Sequence, residues 1–108
     1  IPVGGQDGDL AAINRVALGT QTVSVWKNAK DLGKVAAEAA NALADGADVM
    51  SIAGVAKFSG GKKGVEMNSI LLAPTPITKA NINVAIDAGH ITKDQACAGV
   101  AAGAATGC

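Results

Sequence analysis

The chain predicts an α/β fold whose opening strands lie parallel, and three observations carry that expectation. Short runs of β-branched and apolar residues alternate with longer segments of helical period. Glycines stand at the ends of those helical segments, where a left-handed stop is favoured. Asp7 and Lys27 each follow one of the strand-like runs, twenty residues apart, with a helical segment between them. Two strands joined by a helix of that length are expected to be parallel neighbours with a right-handed crossover, which brings both residues to one rim of the sheet. Open α/β sheets bind ligands outside the carboxyl ends of their strands, so that rim is where a ligand is expected.

Residues 1–6 read as the first strand and Asp7-Gly8-Asp9 as its turn, with Asp9 a suitable N-cap for a helix through Leu18. Leu10, Ile13, Val16 and Ala17 share one helical face, and Gly19 supplies the stop. Residues 20–26 are rich in β-branched side chains and form the second expected strand. Asn28 can cap a helix over 31–45, whose stripe of Leu32, Val35, Ala36, Ala39 and Leu43 ends at Gly46. Residues 55–58 and 64–67 alternate weakly around Ser59-Gly60-Gly61-Lys62-Lys63, a hairpin or loop. A short strand is expected over 69–72, followed by an extended crossing through Pro74 and Pro76. Thr78 is the expected cap of a helix through Ala88, with Ile82, Ala85 and Ile86 inward and Gly89 closing it, and Thr92 opens a last short helix before an Ala/Gly tail. No internal repeat is present.

Composition narrows the functional classes. The apolar half of the 108 residues is mostly alanine, with one Trp, one Phe and no Tyr, so little core area is available per residue. Together with the strand-like opening at Ile1, this is the composition expected of a piece of a larger protein. No run approaches the roughly 18 apolar residues of a membrane span. Formal net charge is zero with both signs interspersed, which argues against a nucleic-acid surface and for an uncharged or small partner. Cys97 and Cys108 lie close together near the C-terminus. Paired, they would close a short loop worth at most about 3 kcal/mol and imply an oxidising compartment; the other reading is two free thiols in a frayed tail.

The residues at these positions resemble a known family. Pro2-Val3-Gly4-Gly5-Gln6-Asp7-Gly8-Asp9, then residues 18–27 (Leu-Gly-Thr-Gln-Thr-Val-Ser-Val-Trp-Lys), then Leu71-Leu72-Ala73-Pro74 running on to Ile77-Thr78-Lys79, look like the C-terminal third of a periplasmic sugar-binding protein of an ABC transporter, of the xylose-binding type. The resemblance runs from residue 1 to about 93; Trp26 stands where the family usually has Tyr, and Gly5 where Ser is common. It implies the type I periplasmic-binding-protein fold, with doubly wound parallel sheets in two lobes that close on one sugar. Residues 1–27 would then be part of the C-terminal lobe, 28–30 a crossing, 31–71 part of the N-terminal lobe, 72–77 a second crossing, and 78–108 the return to the C-terminal lobe with the tail. It further implies a monosaccharide ligand, a membrane permease as partner, packing against an N-terminal portion of the same protein, a periplasmic location, no cofactor and no catalysis.

Sugar-binding contacts are carried by the resemblance onto Asp7 and Lys27. Their chemistry suits a ring of hydroxyls, because an ionised carboxylate accepts from two adjacent hydroxyls and an ammonium offers three donors. Pairing the two limits the cost of burying either charge. Without the resemblance, Asp7 reads as a carboxylate at a helix N-terminus and Lys27 as a solvated strand-end lysine. Gln6 should face the opposite way from Asp7 and is taken as structural. Trp26 is expected as hinge packing, His90 as a surface or C-terminal dipole residue after a helix stop, and residues 60–64 as a plain turn lacking the spacing of a phosphate loop. Two other classes remain: the effector domain of a sugar-responsive transcription repressor, and a small hydrolase or transferase using Asp7 and Asp9 as paired carboxylates, for which no nucleophile elbow or metal set is present.

Overall fold

Asp9 begins the first helix as its side chain dictates. In the computed structural model, which describes residues 1–108, its carboxylate accepts the Ala12 N–H at 2.9 Å and starts α1 (Leu10–Leu18). Gly19, at φ 88°, ends the helix: its N–H and that of Thr20 both return to the Arg15 carbonyl. The helix lies between β1 (Gly4–Gln6) and β2 (Val23–Trp26), which pair in parallel with Gly4 opposite Val23 and Gln6 opposite Val25. The first strand is shorter than expected: the Val3 N–H donates to the Thr22 hydroxyl at 3.1 Å and not to a ladder carbonyl, and Pro2 has no N–H to give.

The sheet is completed by β5 (Thr75–Ile77), a segment the sequence predicts only as part of an extended crossing. It runs antiparallel to β2, with Val25 opposite Pro76, so this sheet is mixed where parallel strands alone were expected. The same extended conformation that proline imposes fits an edge strand, where a missing N–H costs nothing. Beyond it, α3 (Ile82–Asp87) starts three residues later than expected. Thr78 is not its cap: the Asn81 side-chain oxygen accepts the Thr78 N–H at 2.7 Å and its amide donates to the Pro76 carbonyl, closing a turn over 78–81 first. Finally α4 (Lys93–Ala96) carries the expected Thr92 cap as a reciprocal capping box with Gln95.

These elements bury one core: Ile13, Val16 and Ala17 of α1, Trp26 of β2, Ile77 of β5, Ile82 and Ala85 of α3, with Ile91, Ala96 and Ala105. Fully burying one such isoleucine contributes about 1.5–3 kcal/mol. The tail is part of this body, not frayed. Cys97 and Cys108 are disulfide-bonded, Ala105 is in the core, and the Thr106 N–H donates to the Lys79 carbonyl at 2.8 Å. Residues 1–28 and 74–108 together form one compact unit, and residues 29–73 a second.

The second unit is different in kind. Its helix α2 (Ala29–Ala44) ends in the expected glycine stop, Gly46 at φ 83°. A 3₁₀ turn (Val49–Ser51) capped by Asp48 leads to β3 (Val55–Phe58) and β4 (Met67–Ile70), paired antiparallel with Phe58 opposite Met67. The hairpin exists, but its second strand is shifted: residues 64–66 belong to the connecting loop, where Gly60, Gly61 and Gly64 favour irregular backbone, and the expected strand at 69–72 begins at Met67 instead. No residue of 29–73 is fully buried, and Leu32 and Leu43 of the α2 stripe are about half exposed, at 47% and 49%.

Candidate functional site

Asp7 and Lys27 meet at the carboxyl edge of β1 and β2. The parallel register sets this: Gln6 lies opposite Val25, so the residues that follow each strand emerge together. The Asp7 N–H donates to the Val25 carbonyl at 2.8 Å, extending the ladder by one rung past the strand. Lys27 Nζ then stands 2.8 Å from Asp7 Oδ1. Both side chains remain open to solvent, Lys27 at 48% and Asp7 at 65%. The carboxylate therefore has further lone pairs for hydroxyl donors, and the ammonium has further protons to give.

The backbone under this pair is held unusually. Asp7 has φ 73°, the one residue other than glycine in the left-handed region, and Gly8 follows at φ 61°. Two successive left-handed residues turn the chain from β1 into α1 within three positions. A side chain at Gly8 is impossible without movement, because a Cβ there would lie 2.7 Å from Trp26 Cδ1. Ser24 and Trp26 alternate onto the same face of β2 and are buried beneath the turn. The Gly8 N–H donates to the buried Ser24 hydroxyl at 3.2 Å.

Two neighbouring residues support the turn from below. Trp26 is a packing residue, as expected: it is 4% exposed in the core of the unit formed by 1–28 and 74–108. His90 is half-buried and has a partner that the expectation of a surface or dipole residue did not include. Its ring lies against Trp26, with centroids 4.9 Å apart, and its Nε2 is 2.6 Å from the Gly8 carbonyl oxygen. Sequence reasoning missed this role because Gly8 and His90 are 82 positions apart; the local signal, Gly89 as a helix stop, explains only how His90 is delivered. No group of three or more His, Cys, Asp or Glu residues is arranged to hold a metal ion.

No family profile matches the chain. Individual proteins do. It is 39% identical over 82 residues to the D-xylose-binding periplasmic protein of Escherichia coli, covering 76% of this chain and 23% of that protein. It is 38% identical over 96 residues to the D-xylose-binding periplasmic protein of Haemophilus influenzae, covering 88% of this chain and 27% of that protein. The multiple sugar-binding periplasmic receptor ChvE of Rhizobium radiobacter is 30% identical over 94 residues, 86% of this chain and 26% of the receptor. The chain thus spans about a quarter of the length of the curated relatives it matches. Over that quarter, it is homologous to periplasmic sugar-binding proteins, those that bind D-xylose among them.

Proposed function

We propose that this chain is the C-terminal part of a periplasmic receptor that binds a monosaccharide, D-xylose or a similar pentose or hexose, and delivers it to the membrane permease of an ABC importer. Asp7 and Lys27 form its share of the sugar site. The observation that carries this reading is the conformation of Asp7. A left-handed backbone costs a typical L-residue about 1–2 kcal/mol and Asp less, and an ion pair between half-exposed groups returns ~0.2–1 kcal/mol, so the two nearly cancel. Glycine would serve the turn as well, so the carboxylate is there for something other than stability. A charge pair at the carboxyl rim of a parallel strand pair, in a relative of sugar receptors, is suited to hydroxyl recognition.

The chain acts as a binding protein and not as an enzyme, in line with relatives named as binding proteins and receptors. The disulfide suits the oxidising periplasm. In this reading residues 1–27 and 78–108 belong to the C-terminal lobe of a two-lobed clamp, 31–71 to the N-terminal lobe, and 28–30 and 72–77 are crossings. The half-exposed stripe of α2 and the exposed Phe58, Met67 and Leu71 of the hairpin region favour cover by the remaining part of the protein. Periplasmic relatives favour a transport receptor over the effector domain of a transcription repressor. A calorimetric and thermal-shift panel of pentoses and hexoses on the full-length protein tests the proposal: a preferred sugar must give binding heat and raise the melting temperature, since ligand selective for the folded state adds stability. No response to any sugar of the panel refutes it.

A further inference from the structure

We infer that His90 is a positioning residue for the sugar site, acting through the Gly8 carbonyl to hold the Asp7 carboxylate in place. This rests on the reading of Asp7 as a sugar ligand. The Asp7–Gly8–Asp9 turn has two peptide groups that could rotate, and each is clamped from outside the turn. Ser24 accepts the N–H of the Asp7–Gly8 peptide, and His90 meets the carbonyl of the Gly8–Asp9 peptide. Because a carbonyl oxygen can only accept, Nε2 must carry the proton and donate.

His90 reaches this position by a chain of local causes. Gly89, at φ 66°, turns the end of α3 so that the His90 N–H returns to the Ala85 carbonyl and the Gly89 N–H to that of Ile86. This double bond pattern fixes the backbone of the residue after the glycine. The imidazole then lies on the Trp26 ring, which itself closes under Gly8. The turn that presents Asp7 is therefore locked to the distant α3 by one hydrogen bond. Small displacements of a binding group cost affinity out of proportion to the energy of the restraint that prevents them.

The test is a double-mutant cycle for sugar affinity in the full-length protein. Asp7→Asn weakens the ligand contact while keeping a side chain that tolerates the left-handed backbone. His90→Phe keeps a flat ring on Trp26 and removes the donor; His90→Gln keeps a donor and removes the ring. His90→Phe is expected to bind the preferred sugar about tenfold more weakly, the equivalent of one lost hydrogen bond. His90→Gln should recover part of that loss, and His90→Phe should have little further effect once Asp7→Asn is present. A purely structural role gives the opposite: equal loss in both Asp7 backgrounds, or loss that tracks melting temperature with no rescue by Gln. If Asp7→Asn weakens binding while both His90 variants bind like the unmodified protein, the positioning role is overturned and the sugar site stands. If Asp7→Asn leaves affinity unchanged, the sugar-site reading falls and this inference with it.

Discussion

Replacing Asp7 by glycine separates the two roles a charged turn residue can have. The left-handed backbone at Asp7 costs about 1–2 kcal/mol for a typical L-residue, and less for Asp, which glycine would release. Against that gain stand ~0.4–1 kcal/mol of added unfolded-chain freedom and ~0.2–1 kcal/mol for the lost ion pair with Lys27. The opposing terms nearly cancel, so Asp7→Gly should change folding stability by no more than about 1 kcal/mol. Affinity should not be spared. A charge-assisted hydrogen bond contributes about 1.5–3 kcal/mol, and two to adjacent hydroxyls about 3–6 kcal/mol. That corresponds to roughly 10²–10⁴-fold weaker sugar binding. Isothermal calorimetry with the preferred sugar and denaturant unfolding of the same samples supply both numbers. Loss of several kcal/mol of stability would mean that Asp7 holds the fold, and an affinity within a few-fold would mean that it does not touch sugar; either refutes the reasoning.

Other substitutions probe the frame around this pair. Gly8→Ala forces a Cβ into the Trp26 ring and a left-handed L-residue into the turn, so it should destabilise by ~2–5 kcal/mol in denaturant titration; a cost under ~1 kcal/mol contradicts the geometry. Lys27→Ala should weaken sugar binding by about tenfold or more with little change in unfolding midpoint, because the ion pair is half exposed; calorimetry beside a melt decides it. Cys97→Ser with Cys108→Ser should lower stability by roughly 2–3 kcal/mol and raise hydrogen exchange in the tail, since the bond closes an 11-residue separation onto the core; unchanged exchange would show that the tail is held without it.

Local chemistry is readable wherever a single residue type settles a single conformation. Asp9, Gly19, Gly46 and the Thr92 box each behave as their side chains or lack of one require. The placement of Asp7 beside Lys27 is readable too, because a strand, helix, strand unit has one favoured handedness and one rim. Expectation and structure part where two local patterns compete. At 78–81, Thr78 and Asn81 are both good caps, and Asn81 binding back to Thr78 and Pro76 delays α3. At 64–67, weak alternation does not differ from a glycine-rich loop, and strand pairing settles on Met67–Ile70.

From its residues alone, then, the chain determined where α1 and α4 start and where α1 and α2 stop, that its first two strands run side by side, and that an acid and an amine share their rim, since these follow from backbone sterics and short-range hydrogen bonds. Tertiary structure decided that Pro76 joins the sheet as an edge strand, that the half-buried His90 ring lies against the buried Trp26, and that His90 reaches Gly8. Those outcomes depend on contacts between segments tens of residues apart, whose pairing is chosen by what packs and which buried polar groups find partners, and no window of neighbouring residues contains that information.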